Sequence, residues 1–281
     1  MKTTLICPSD RPGVSLLSEE APLSCRMLLG QSLLEYWLSW LACSGYREVS
    51  ILADDRVGQV RDLAGDGARW GLTVRIIAEC CELSPAQALL RYPCEAPPTA
   101  LDHFPGQSEL PLFSSYADWF AALLAWMPHA QMPDRVGVRQ IRPGIWAGLP
   151  SMISPKAELR PPCWIGRNVY VGPKAIIGPE SILEDGACIE RSSEVARSYI
   201  GPFTMVGQFT RIADSLAWDN TLINWQTGSV AAVPDPFLLC SLRQLRLGRA
   251  QRDPRPAAFP AEAEQPEVRL LLNHLLIDGE R

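Results

Sequence analysis

A chain of 281 residues with 47% hydrophobic and 20% charged residues has the make-up of a folded protein with room for two domains, which excludes wholesale disorder. A net charge of −5 gives no overall attraction to nucleic acid or acidic lipid, and no apolar run approaches the ~20 residues of a membrane span. Nine cysteines, at 7, 25, 43, 80, 81, 94, 163, 188 and 240, include no Cys-x-x-Cys spacing, so neither a disulfide framework nor a zinc site is expected; the chain reads as cytoplasmic and reduced, with several thiols serving as small core residues.

Along the chain, residues 3–7 (TTLIC) form a short apolar strand stopped by Pro8, and residues 9–26, with Pro12, Gly13 and Pro22, read as irregular. Between Ser32 and Ala42 the apolar Leu33, Leu34, Tyr36, Trp37, Trp40 and Leu41 recur at helical spacing before the stop signal Gly45, giving an amphipathic helix packed on a sheet. Residues 47–53 (REVSILA) read as a buried strand, 57–63 as a short helix and 72–77 (LTVRII) as another strand, a βαβ beginning. From Glu79 to about Asp134, prolines at 85, 93, 97, 98, 105 and 111 interrupt any regular pattern. Only residues 118–126 (DWFAALLAW) stand out there, as a helix closing a first domain over 1–135. Residues 136–145 have extended character and lead into a second domain.

That second domain, 136–233, carries a repeat. Ile153, Leu159, Ile165, Val171, Ile177, Leu183, Ile189 and Val195 are spaced by six, and after one shortened step the register resumes at Ile200, Val206 and Ile212. Four places after the aliphatic residue stands a small or β-branched one, such as Ala157, Cys163, Val169, Ala175, Ser181, Ala187 and Ser193, and glycine follows the aliphatic residue at 166, 172, 178, 201 and 207, where the chain is expected to turn without a Cβ clash. These hexads resemble those of left-handed parallel β-helices, in which three hexads make one triangular coil and the handedness is an exception to the right-handed crossover rule. Trp164, beside the inward Ile165, is expected to point outward and stand exposed, as a surface for domain packing or self-association. The terminal coil needs a cover for its open backbone edges. Residues 218–230 are expected to form the last coil. The remainder, 234–281, holds a proline-containing link and an apolar helix at 268–277 that would cap the coil or dock on a partner.

Residues 30–79 carry a second resemblance. Gly30, a helix over 33–42, a strand over 47–53, Gly65-Asp66-Gly67, Trp70-Gly71 and a strand over 72–77 occur in the order and spacing of the sugar-1-phosphate nucleotidyltransferases, many of which also carry a left-handed β-helix. The resemblance implies a reduced, Rossmann-like α/β domain in front of the β-helix. In that family the first strand runs into a glycine-rich, arginine-bearing loop that wraps nucleotide phosphates with backbone N–H groups, followed by a Pro-Lys pair. The loop here reads CPSDRPGVSLL: Pro8 and Pro12 donate nothing, and Ser9, Arg11 and Gly13 are the nucleotide-binding candidates, with Arg11 the one catalytic candidate. Leu23 follows Pro22 where the lysine belongs. The family's metal-binding strand-end aspartate has no counterpart between 80 and 150, which leaves Asp54 and Asp55 as candidates for Mg²⁺.

Acyltransferase chemistry on a β-helix would need a histidine base, yet His103, His129 and His274 all fall outside the repeat, and the first two read as loop residues. Arg243, Arg246, Arg249 and Arg252 recur every third residue and would make a basic stripe if helical, a solvated face by preference. The expectation is a non-catalytic relative of the nucleotidyltransferases, a scaffold or regulatory pseudoenzyme in sugar-nucleotide or surface-polysaccharide metabolism, able to meet a nucleotide, a nucleotide sugar, a protein partner or further copies of itself. The alternatives are an active nucleotidyltransferase with a diverged loop, and a purely structural oligomer.

Overall fold

The computed structural model describes residues 1–130 and 137–243. The chain forms two compact units, Met1–Arg135 and Val136–Arg281. The first is α/β. Its strands β1 (Lys2–Ile6), β2 (Glu48–Ala53), β3 (Thr73–Ala78) and β4 (Thr99–Ala100) alternate with helices α1 (Leu33–Cys43), α2 (Val57–Ala64) and α3 (Pro85–Arg91), and α4 (Tyr116–Trp126) follows. All pairings are parallel, in the order β3-β2-β1-β4, with Leu5 opposite both Ile51 and Thr99. The chain therefore builds outward from β1 to β3 and then returns to the far side of β1. The strand order therefore reverses between β1 and β4, and it is outside the carboxyl ends of strands at such a point that open parallel sheets form crevices.

Local chemistry explains most of these elements. Ser32 caps α1, accepting from the Glu35 N–H while the Glu35 carboxylate takes the Ser32 N–H, a full capping box. Eight of the eleven residues of α1 are buried, so the helix is an interior one rather than the one-sided helix its spacing implied. Tyr36, Phe104 and Trp126 cluster through an edge contact and a stacked pair. The stretch from Gly65 to Gly71 turns the chain into β3. Gly67 has φ of +85°, and a Cβ there would stand 2.7 Å from the Leu72 carbonyl, so only glycine fits.

Two elements of this unit lie in the segment whose prolines predict no regular structure. Pro85 opens α3 from within its first turn, where its missing N–H has no intrahelical partner to lose, and Ser84 with Gln87 forms a second capping box. Strand β4 follows Pro97 and Pro98 and needs only two residues of pairing with β1. His129 ends a 3-10 turn, Met127–His129, and stacks on Trp126, rather than lying in a loop.

The second unit is a stack of short parallel strands in three sheets that the chain visits in rotation. One sheet contains Ile145–Gly148, Cys163–Ile165, Ser181–Leu183, Ser198–Ile200 and Ser215–Trp218; the next contains Met152–Ile153, Tyr170–Val171, Cys188–Ile189 and Thr204–Val206; the third contains Glu158–Leu159, Ile176–Ile177, Glu194–Ala196 and Arg211–Ala213. Ladder partners are 18 residues apart in the early coils (Cys163 opposite Ser181) and 17 in the later ones (Ser181 opposite Ser198), which is the shortened step. The six-spaced residues from Ile165 to Ile212 meet in one core, joined by Cys163, Val169, Ala175 and Ala187, with Ile153 and Leu159 at its margin. Each fully buried aliphatic side chain contributes roughly 1.5–3 kcal/mol. Where the small position is serine, its hydroxyl donates to a carbonyl of a neighbouring coil: Ser181 to Val195 O and Ser193 to Gly207 O.

Three expectations for this unit are corrected. With the exception of Gly178, the repeat glycines do not turn the chain. A Cβ on Gly166 would lie 2.7 Å from Asp185 N, and one on Gly172 would lie 2.7 Å from Arg191 N, so their role is to let coils approach. The left-handed corners fall further on, at Asn168, Lys174, Glu180, Ser192, Phe203 and Phe209, all with φ between 52° and 60°. Trp164 is fully buried, not exposed. It stands in a ladder with Trp146, Ile182, Tyr199 and Leu216, a continuous apolar row whose members are all buried.

The third correction concerns the end of the stack. Only Ser215–Trp218 extends the parallel ladder. Thr221–Asn224 folds back antiparallel on it, Val230–Ala232 pairs antiparallel with Thr221–Asn224 in turn, and Leu239–Ser241 pairs antiparallel with Thr204–Val206. At the other end Val138–Arg142 covers Ile145–Gly148, also antiparallel. Two of the three sheets thus have their late edges covered by antiparallel strands. The apolar segment at 268–277, His274, and Arg246, Arg249 and Arg252 lie outside the described residues. Arg243 lies within them, its guanidinium 4.7 Å from the Phe203 ring centre.

Candidate functional site

The candidate site is the carboxyl edge of the parallel sheet, where β1 runs into the loop over 7–14. Cys7 continues β1 by donating to Leu52 O, and burial pushes its thiol up to about 12, so it stays a neutral part of the floor. Above it, the Ser9 hydroxyl donates to Asp54 Oδ2 at 2.5 Å, and the Ser9 N–H donates to Glu82 Oε2 at 2.9 Å. Arg11 makes a two-pronged pair with the same carboxylate, at 2.8 Å to Oε2 and 2.6 Å to Oε1, and also donates to Ser9 O. Paired guanidinium and carboxylate forks of this kind are among the stronger polar contacts. Burial works to raise the Glu82 carboxyl, but the bonds from Arg11 and Ser9 outweigh it and hold the group below its usual range.

Pro12–Val14 then forms one 3-10 turn, and Gly13 is pressed against Ser114: a Cβ there would lie 2.1 Å from the Ser114 carbonyl oxygen. Arg11, Pro12 and Gly13 form one wall of a cleft of about 300 Å³. Its opposite lining comes from Asp102, just past β4, with Pro111, Phe113 and Ser114. The hydrogen bond between Asp102 and His103, 2.6 Å, holds the Asp102 carboxyl below the usual carboxylate range.

The other two arginines around this loop are also engaged by protein acceptors. Arg26 is buried and donates to Leu17 O at 2.6 Å and Leu16 O at 3.2 Å. Arg56 donates to both oxygens of Asp55 and to Ser18 O, and stands 3.6 Å from Asp10. Three guanidinium groups thus hold the segment from Ser9 to Glu19 in place.

Of the sequence candidates, Ser9, Arg11 and Asp54 are brought together, Gly13 lines the adjacent cleft, and Asp55 turns away to Arg56. Asp54 Oδ1 is buried without a hydrogen-bond partner among the described residues. No group of three His, Cys, Asp or Glu side chains disposed to hold a metal ion occurs among the described residues. Sequence reasoning missed Glu82 and Asp102. Glu82 lies beyond the apolar strand LTVRII in ECCE, and Asp102 follows a two-residue strand too short to announce itself. No helix among the described residues is long and apolar enough to cross a membrane. Comparison with protein-family models and with curated proteins gives no match.

Proposed function

We propose that the first unit is a reduced, Rossmann-like nucleotidyltransferase-type domain without the family's catalysis, joined to a left-handed β-helix, and that the protein is a scaffold or regulatory subunit in sugar-nucleotide or surface-polysaccharide metabolism. The metabolic setting rests on the resemblance over residues 30–79 alone. The hand of the coil is supported by the hexads and by the recurrence of left-handed corners three residues after the inward aliphatic. The observation that carries the functional reading is the clamp on the loop. Its one catalytic candidate, Arg11, spends both arms of its guanidinium on Glu82, and Leu23, at the lysine position, is buried. A triphosphate would have to compete with a carboxylate already seated at 2.6–2.8 Å. The test is pyrophosphate release by the pure protein from nucleoside triphosphates and sugar 1-phosphates with Mg²⁺. No turnover above blank is expected, and turnover lost in an Arg11→Ala variant would overturn the reading.

A second reading, an active nucleotidyltransferase, is favoured by one observation: Asp102 lies just past β4, in the same cleft as Arg11, where an acid could help Asp54 hold Mg²⁺. It requires Asp102→Asn to abolish pyrophosphate release.

A further inference from the structure

Between β3 and α3 the chain reads Glu79-Cys80-Cys81-Glu82. Both glutamates are pinned. Glu79 continues the sheet by donating its N–H to Ala53 O, and its carboxylate accepts from Arg91 at 2.6 Å and from Tyr92 at 2.5 Å. Glu82 is held through its carboxylate, by Arg11 and the Ser9 N–H. The two thiols between them are exposed and free. The neighbouring Cys80 side chain pushes the Cys81 thiol up.

Neighbouring Cα atoms across a trans peptide are about 3.8 Å apart, shorter than the roughly 4.4–6.8 Å of ordinary disulfides. A ring closed between adjacent cysteines is therefore strained and easily reduced, the behaviour of a reversible modification site and not of a structural bridge. Closing it would also fix the Cys80–Cys81 peptide in a new shape. On one side that change meets Glu79, tied by both backbone and side chain; on the other it meets Glu82, so the displacement falls on the Glu82 carboxylate.

We propose that Cys80 and Cys81 form a reversible two-electron site for small-molecule disulfides, and that closing their ring withdraws Glu82 from Arg11 and frees the guanidinium into the cleft. One thiolate attacks the small disulfide, forming a mixed disulfide and expelling one small thiolate. The neighbouring thiolate then attacks the protein-side sulfur, forming the ring and expelling the second. The cysteine pair loses two electrons, the small disulfide gains them, and the two cysteine protons end on the two released thiols. The site goes beyond the reading of the protein as a pseudoenzyme and does not depend on it, because it needs only the clamp.

The experiment uses the full-length protein in buffers of rising oxidised-to-reduced glutathione ratio, quenched with N-ethylmaleimide and mapped by peptide mass, with Arg11 probed in parallel by phenylglyoxal. The peptide holding Cys80 and Cys81 should lose two hydrogens, take no label, and recover both on reduction, while Cys81→Ser should stop at a glutathione adduct on Cys80. Arg11 should react severalfold faster in the ring-closed protein, approaching the rate of reduced Glu82→Gln, with circular dichroism unchanged. Full labelling of both thiols at the most oxidising ratio, or pairing of either with a distant cysteine, would overturn the site. A closed ring that leaves Arg11 as slow as before would overturn its link to the clamp.

Discussion

At the scale of single residues, the clamp between Arg11 and Glu82 has a measurable signature in acid. The folded Glu82 carboxyl lies below the ordinary glutamate value of 4.5, so its contribution is complete above that value and is lost as pH falls from there through the lowered pKa. Glu82→Gln should cost about 1 kcal/mol at neutral pH, as for a pair still partly open to water. It should also flatten the acid limb of a urea-denaturation series below about pH 4.5. The repeat offers a second residue-scale test. Lys174 occupies a left-handed corner with φ of 60°, a conformation that strains a side-chain-bearing residue by roughly 1–2 kcal/mol. Lys174→Gly should therefore raise the melting temperature or leave it unchanged. Gly172→Ala, which drives a methyl into Arg191 N, should lower it, with a loss of about 1–3 kcal/mol. The glycine pattern itself was legible in the sequence, but its purpose was not: a six-residue period locates the glycines, whereas only the ladder reveals that the next coil passes over them. Ser9, Arg11 and Asp54 were likewise visible as candidates, while Glu82, which binds both Ser9 and Arg11, sits more than 70 residues from Ser9 in the chain.

At the scale of elements, what could be read was set by the length of the periodic signal. Helix α1 and strands β1 to β3 lie within about two residues of their expected bounds, because each is an apolar run or a periodic apolar segment, with Pro8 and Gly45 as stop signals for β1 and α1. Helix α3 is hidden by Pro85, which reads as a breaker, although Ser84-Pro85-Ala86-Gln87 is a capping sequence with proline in its first turn. Ser84→Ala should cost about 1 kcal/mol, measured by chemical denaturation. Because α3 carries Arg91, one of the groups holding Glu79, the variant should also loosen the turn over 79–82, seen as faster alkylation of Cys80 and Cys81. The antiparallel strands that close the second unit escaped notice for a different reason. They break the hexad, and a strand that pairs with a distant edge leaves no periodic mark of its own.

At the scale of the whole molecule, two units with different periodicities share one chain, and the chemistry is concentrated in the first. The parallel sheet order β3-β2-β1-β4 places a crevice between β1 and β4, and the loop that enters it is fastened by Arg11, Arg26 and Arg56 instead of being left open to an anion. The resemblance to nucleotidyltransferases lies in the order of the elements, whereas the activity of that family depends on groups free to meet phosphate. The most direct test is a calorimetric titration of the pure, reduced protein with nucleoside triphosphates and nucleotide sugars, with and without Mg²⁺. The expected result is no saturable heat at millimolar ligand. Stoichiometric, Mg²⁺-dependent binding that is abolished by Arg11→Ala would contradict the account, because it would show that the clamp yields to a nucleotide.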